Sequence, residues 1–156
     1  DALFDALETG VVKRYITDFG TEDLLNKPNV TVFPHVGGST GEAELNCAIM
    51  AGQTIRRFME TGEIVNSVNF PRVQQALSAP YRITLINKNV PNIVARISTA
   101  VSDFNINIDN IINRSKGDYA YTLLDLDETD KSKIDELVAK FEASDNIVRV
   151  RLIKGK

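Results

Sequence analysis

The order of the segments between residues 81 and 156 constrains the fold more than any other feature of this sequence. Strand signals, which are short runs of alternating character, and helix signals, which are apolar residues spaced three and four apart, follow one another along this stretch. In order, the segments are a strand at 82–86, a helix at 93–104, strands from 106 and at 119–126, a helix at 130–141 and a strand at 147–153. Strand, helix, strand, strand, helix, strand is the order of a ferredoxin-like α+β domain, and we predict that fold for residues 81–156.

The preceding residues predict a second domain that is incomplete. Strand, helix and strand patterns alternate over residues 1–71, which is typical of the tail of a doubly wound α/β region with a parallel sheet. A short polar segment between two prolines predicts a linker at residues 72–80. The chain starts at Asp1 without a methionine, inside a helical pattern, so we expect part of this domain to lie upstream.

The elements of the first 71 residues are predicted from local signals. Residues 11–19 and 30–33 are strand-like, and a further extended piece is expected at 64–70. Ser39, with Glu42 three residues later, fits a capping box for a helix that runs to about Thr61. Cys47 lies on that helix and is expected to be a small buried residue.

Composition excludes several classes of function. The formal net charge is −3, so the chain has no general attraction for nucleic acid or acidic membranes. A single cysteine cannot form an internal disulfide, which favours a reducing, cytoplasmic location. No apolar run reaches the roughly 18 residues of a membrane helix. We therefore predict a cytoplasmic protein with neither nucleic acid nor membrane as a partner, and no residues are nominated as metal ligands.

His35 is the only histidine, and its position suits chemistry. It follows a predicted strand and precedes Gly37, Gly38 and the start of a helix. Ligands of open α/β sheets bind beyond the carboxyl ends of the strands. Glycines let a ligand approach the backbone closely, and a helix N-terminus favours an anion. This combination predicts a functional histidine.

The same residues carry a resemblance to a family. The segments V-T-V-F-P-H-V-G-G-S-T at 30–40 and N-S-V-N-F-P at 66–71 resemble the D-isomer-specific 2-hydroxyacid dehydrogenases. The resemblance implies that His35 accepts the proton of a substrate hydroxyl while NAD accepts the hydride. It nominates Gly37 and Gly38 as cofactor-binding residues. It also nominates Glu22, with Asp23 as the neighbouring alternative, as the carboxylate that orients the histidine.

Within the family, the resemblance implies a specific reaction. The expected substrate is 3-phosphoglycerate, oxidised to 3-phosphohydroxypyruvate at the entry to serine biosynthesis. The G-x-G-x-x-G dinucleotide fingerprint does not occur in these 156 residues, so this stretch by itself is expected to be inactive.

The C-terminal domain resembles an ACT domain, a regulatory module that senses amino acids. The resemblance rests on I-N-K-N-V-P-N at 86–92 and N-I-N-I at 105–108. It implies that Asn87, Asn89 and Asn107 hold an amino-acid effector, L-serine or another, because amides supply both donors and acceptors. Asn92 stands where the family usually has glycine, in a turn that asparagine tolerates. A homo-oligomer formed through the ACT domains is expected.

The sequence of the C-terminal domain also has features of two other functions. The stretch K-G-D-Y-A-Y at 116–121 is close to the aromatic strand motif of RNA-recognition modules. Asp118 shifts its spacing by one residue, and the acidic residues at 125, 127 and 128 would repel phosphates. A non-catalytic regulatory or oligomerisation module that binds an amino acid is the alternative that we keep.

Overall fold

The computed structural model describes residues 2–155, which divide between Ala48 and Ile49 into two compact units. The helices are α1 (Ala2–Glu8), α2 (Gly41–Thr61), α3 (Ile93–Ser102) and α4 (Lys131–Glu142). The strands are β1 (Tyr15–Thr17), β2 (Val30–Val32), β3 (Tyr81–Lys88), β4 (Asn107–Lys116), β5 (Tyr119–Asp127) and β6 (Ile147–Lys154). Helix α2 begins in the first unit and ends in the second.

The first unit contains a parallel pair of strands, β1 and β2, in which Tyr15 is opposite Val30. Its β1 has three residues, fewer than the strand predicted over 11–19. The reason is that residues 9–12 complete the end of α1. Gly10 has a φ of +73°, and the amide of Val12 donates to the carbonyl of Ala6 at 2.9 Å. These residues are therefore not free to extend the strand.

The second unit contains a four-stranded antiparallel sheet in the order β4-β5-β3-β6. Helices α3 and α4 cover one face, and their apolar residues pack with those of β3 and β5. The buried core on this face comprises Tyr81, Ile83, Leu85, Ile93, Ile97, Ala100, Val101, Ile106, Leu124, Leu126, Ile134, Leu137 and Phe141. The predicted ferredoxin-like fold is confirmed, with strand and helix ends within a few residues of expectation.

The other face of the sheet is covered by the segment that follows α2. Ile64 and Val73 form an isolated antiparallel bridge and pack with Tyr121 and Leu123 of β5. The extended piece expected at 64–70 is thus reduced to a bridge. Val73, inside the predicted linker, is only 1% exposed, because it fills the space above the sheet. The predicted boundaries at residues 71 and 81 stay a prediction.

Polar contacts hold the end of α2 against this face. The hydroxyl of Tyr121 donates to the carbonyl of Gly62 at 2.6 Å. Burial raises the pKa of Tyr121, so the phenol stays a neutral donor. Arg82 and Asp125 form a buried ion pair, and the same guanidinium also donates to the carbonyl of Thr61 at 2.9 Å. The carbonyls at the end of α2 are therefore satisfied by side chains from the sheet.

Helix α2 differs in two respects from expectation. The side chain that caps it is Thr40, whose hydroxyl accepts from the amide of Ala43 at 3.1 Å, so the predicted capping residue Ser39 is wrong by one position. No residue of α2 is buried in the described part of the chain, and Cys47 is exposed. The expectation of a buried Cys47 is therefore wrong, because this part of the helix is exposed within residues 2–155.

Candidate functional sites

His35 lies in an exposed loop beyond the carboxyl ends of both parallel strands. The loop leaves β2 at Phe33, whose amide donates to the carbonyl of Thr17 at 2.9 Å. The imidazole is 62% exposed and rests against the edge of the Phe19 ring, with centroids 5.2 Å apart at 89°. The ring is thus held by an aromatic neighbour while most of its surface faces solvent. This is the position at which a parallel sheet presents groups to a ligand.

The carboxylate beside His35 is that of Asp18, which follows β1. Its Oδ2 is 3.6 Å from His35 Nδ1, and its side chain is 56% exposed. A distance of 3.6 Å is longer than a hydrogen bond, so the two groups are neighbours without a direct hydrogen bond.

The predicted partner carboxylates do not reach the histidine. Glu22 begins the short 3-10 turn at Glu22–Leu24, and among residues 2–155 neither it nor Asp23 forms an ion pair with His35. The structure therefore brings together His35 and Asp18, and not His35 and Glu22. The reason is that β1 ends at Thr17, which puts Asp18 at the same sheet edge as His35. Asp18 was not among the predicted residues. Its position directly after a strand could have placed it at the ligand-facing edge of the sheet.

Gly37 and Gly38 form the turn between His35 and α2. Gly37 has a φ of +39°, and a Cβ added there would have no heavy atom within 4 Å. At Gly38 the nearest atom to an added Cβ would be the Ala43 Cβ at 3.6 Å. The backbone of this turn is therefore open to close approach by a ligand, and the role of both glycines in cofactor binding stays a prediction.

Asn87 lies on the helix-bearing side of β3 and is fully buried. Its Oδ1 accepts from the hydroxyl of Thr122 at 2.8 Å, and its Nδ2 donates to the carbonyl of Lys88 at 3.0 Å. Asn113 in turn donates to the Thr122 hydroxyl at 2.7 Å. Both ends of the Asn87 amide are therefore hydrogen-bonded within the domain, and one of these bonds holds the backbone where β3 enters the next loop. Because the side chain is fully buried, it is not accessible to a ligand in this structure.

Asn89 and Asn107 are both exposed but lie at opposite ends of the domain. The Nδ2 of Asn89 donates to the carbonyl of Gly117 at 3.0 Å, in the turn between β4 and β5. Asn107 pairs with Asp127 at the far end of β4. The strand between these two ends is about 30 Å long. One copy of the chain therefore does not bring the two predicted effector-binding amides together.

Asn92 takes the backbone conformation expected of a glycine. It precedes α3 with φ 63° and ψ 10°, in the left-handed region. Asparagine is among the few residues that adopt this conformation at low cost. The turn between β3 and α3 therefore has the left-handed residue that a glycine would supply, although the residue here is asparagine.

Residues 2–155 contain neither a candidate metal site nor a candidate membrane-spanning helix. No cluster of three or more His, Cys, Asp or Glu side chains is placed to hold a metal ion. None of the described helices combines the length and apolar character needed to cross a bilayer.

Two solved structures are reported as matches to this chain. The ACT domain from the GTP pyrophosphokinase of Chlorobium tepidum is 18% identical and matches with a TM-score of 0.43, over 47% of this chain and 95% of that one. The regulatory subunit of aspartate kinase from Thermus thermophilus is 21% identical, with a TM-score of 0.41, over 49% of this chain and 52% of that one. No protein-family model matches the sequence.

Sequence relatives extend over both units. D-3-phosphoglycerate dehydrogenase 2 of Saccharomyces cerevisiae is 31% identical over 139 residues, and the D-3-phosphoglycerate dehydrogenase of Escherichia coli is 26% identical over 133 residues. Each match covers 85% of this chain, and the chain spans 29% and 32% of the respective relatives. A match of that length includes both His35 and Asn107 wherever it begins. The homologues of this chain are thus D-3-phosphoglycerate dehydrogenases, which confirms the predicted resemblance.

Proposed function

We propose that this chain is the C-terminal part of an NAD-dependent D-3-phosphoglycerate dehydrogenase, with the catalytic histidine at residue 35 and an amino-acid-sensing ACT domain from residue 81. The observation that carries the catalytic half is the exposed imidazole of His35 beside the Asp18 carboxylate, at the carboxyl ends of two parallel strands. The similarity to named phosphoglycerate dehydrogenases over 85% of the chain supports the same reading.

In this proposal the two imidazole nitrogens have different tasks. Nδ1 faces Asp18, so a proton on Nδ1 points at the carboxylate and leaves Nε2 as the free acceptor. Nε2 then takes the proton of the 3-phosphoglycerate hydroxyl as the carbon–hydrogen bond breaks. Asp18 stabilises the imidazolium that results. Phe19 limits rotation of the ring through its edge contact.

The residues beside His35 fit the reactive end of NAD. A Cβ added at Gly37 would have no heavy atom within 4 Å, so the backbone near His35 has room for a ligand. When bound, NAD supplies the acceptor for the hydride. The dinucleotide fingerprint does not occur in this sequence, so these glycines would hold only the end of the cofactor nearest the histidine.

The catalytic proposal is tested in the full-length enzyme by three substitutions. His35→Gln is expected to lower kcat by about 10²- to 10⁴-fold, the usual contribution of a general base. Asp18→Asn should lower it less and Glu22→Gln least, because only Asp18 neighbours the ring. Unchanged turnover in His35→Gln would remove the histidine from catalysis. If Glu22→Gln lowered kcat as much as or more than Asp18→Asn, Glu22 and not Asp18 would be the carboxylate that orients His35.

The sensor site requires two copies of the chain. Strand β4 lies at the edge of the sheet, with one side of its backbone unpaired. Antiparallel pairing of two β4 strands about a two-fold axis places Asn107 of one copy beside the Lys116 end of the other, where Asn89 lies. L-serine or a related amino acid would then bind between the copies. In this arrangement Asn87 supports the loop and does not touch the effector.

A mixing experiment tests the shared site. Asn89→Ala and Asn107→Ala are each expected to abolish inhibition by L-serine while turnover stays near that of the unmodified enzyme. Mixed after dissociation, the two variants should recover about a quarter of the serine sites, since each mixed pair contains one intact site and one doubly altered site. No recovery on mixing would place both amides in a site within one copy. Serine inhibition that persists in both variants would end the sensor proposal.

A further inference from the structure

A cleft lies on the face of the sheet opposite α3 and α4, between the end of α2 and strands β3 and β6. Its volume is about 360 Å³, near the lower end for sites that hold a small molecule. All of its lining residues belong to the second unit. They are Phe58, Met59, Thr84, Ile86, Tyr121, Arg149 and Arg151.

One side of the cleft is apolar and open to solvent. Phe58 is 37% exposed and Met59 is 57% exposed, although both border a concave surface. Ile86 of β3 continues this apolar surface at the base of the cleft. A ligand with an aliphatic or aromatic body would remove this area from water, which is favourable in proportion to the area covered.

The other side of the cleft carries two guanidinium groups. Arg149 and Arg151 are two residues apart on β6, so they share one face of the sheet. Arg151 donates to the carbonyls of Phe58, at 2.8 Å, and of Met59, and its charge lies over the Phe58 ring at 5.1 Å. Arg149 is exposed, and its guanidinium makes no hydrogen bond or ion pair within residues 2–155. The lining contains no acidic side chain.

We propose that this cleft binds a small organic monoanion, a carboxylate attached to an apolar body. The carboxylate would take the fork of N–H groups on Arg149 in a bidentate pair, and the body would cover Phe58 and Ile86. A single uncommitted guanidinium matches one negative charge. A phosphate dianion would leave the apolar side uncovered. The site uses none of His35, Asn89 or Asn107, so it stands apart from the function proposed above.

The test is a titration of the uniformly ¹⁵N-labelled 156-residue chain with phenylacetate, followed by amide chemical shifts. The expected result is a saturable shift confined to Thr84, Ile86, Arg149 and their neighbours, with a Kd of about 1 mM for a ligand of this size. Phenylacetamide, which keeps the ring and loses the charge, should bind at least about tenfold more weakly. Inorganic phosphate should leave these amides unshifted.

Two arginine variants complete the test. Arg149→Gln should weaken phenylacetate binding about tenfold and keep the spectrum of a folded chain, since its side chain has no partner to lose within the described residues. Arg96→Gln, an exposed arginine on α3 across the sheet, should leave the affinity unchanged. Equal affinity for phenylacetamide, equal loss in both variants, shifts outside the cleft, or no saturable shift up to about ten times the expected Kd would each overturn the proposal.

Discussion

Gly62 ends α2 with a φ of +71°, a conformation that glycine adopts without strain. The same residue lies directly on the sheet. A Cβ added there would be 2.5 Å from the Thr84 Cγ2 and 2.9 Å from the Ile153 Cδ1. Two independent requirements, a left-handed turn and close approach to the strands, therefore meet at one position. Together with the Tyr121 hydrogen bond to its carbonyl, they fix where the chain leaves α2.

Gly62→Ala is expected to lower the free energy of unfolding by about 2–4 kcal/mol, because left-handed strain and overpacking add. Gly52→Ala is the matched control, since Gly52 lies inside the same helix and an added Cβ would have no atom within 4 Å. That change should raise stability by about 0.5–1 kcal/mol. Urea denaturation measures both. Similar effects at the two positions would contradict the close approach of Gly62 to the sheet.

At the scale of single elements, helix α4 shows how a short polar segment starts a helix. Asp130 caps it by accepting from the amide of Ser132 at 2.9 Å. Glu128 stabilises the same helix start. Its Oε1 accepts from the amides of Thr129 and Asp130, and its Oε2 accepts from Lys133. These bonds, led by that from the Asp130 amide, lower the pKa of Glu128 from 4.5 to about 2.

This pKa predicts a defined acid dependence. A carboxyl whose folded pKa is lowered contributes stability above its unperturbed pKa of 4.5 and loses that contribution as the pH falls toward 2. Glu128→Gln should therefore flatten the fall in unfolding free energy between about pH 5 and pH 3. Glu136→Gln, on the same helix and without a recorded hydrogen bond among residues 2–155, should leave the slope as it was. Denaturant titrations at several pH values measure the free energy of unfolding of each variant. If this free energy fell equally steeply with decreasing pH in both variants, the lowered pKa of Glu128 would be contradicted.

At the scale of the whole molecule, the second unit has three layers, and a buried ion pair joins two of them. Arg82 of β3 donates through Nε to Asp125 Oδ1 at 2.5 Å and through Nη2 to Oδ2 at 2.7 Å. Its remaining N–H groups reach the carbonyls of Thr61, Gln75 and Ala76. All five donors are used, and neither side chain of the pair is exposed. The segment after α2 is thus held to the sheet by the same group that neutralises Asp125.

Asp125→Asn should lower the free energy of unfolding by about 3–5 kcal/mol, because it leaves a buried guanidinium without its counter-charge. Asp135→Asn is the control. Asp135 pairs with Lys131 on the surface of α4, where water screens the two charges and such a pair contributes little to stability. The two values can be compared from denaturation curves of the same chain. If Asp125→Asn cost no more than Asp135→Asn, the pair would not be holding the layers together.

Local sequence patterns determined the order and type of the elements in residues 81–154. Helical and strand periodicities, the Asp130 cap and the left-handed turn at Asn92 depend on residues within about one helical turn of each other. The placement of His35 at a sheet edge was also predictable, because a strand followed by a glycine turn and a helix is a local signal. The short length of β1 was not predictable, because residues 9–12 form the end of α1 and do not extend the strand.

Tertiary contacts decided the rest of both candidate sites. They put Asp18 and not Glu22 beside His35. They also buried the Asn87 side chain and separated Asn89 from Asn107 by the length of β4. Tertiary contacts also pack Ile64 and Val73 onto the second face of the sheet. The physical reason is that strand register and the cover of a second face depend on pairs distant in the chain, such as Arg82 and Asp125, 43 residues apart. No local periodicity carries that information.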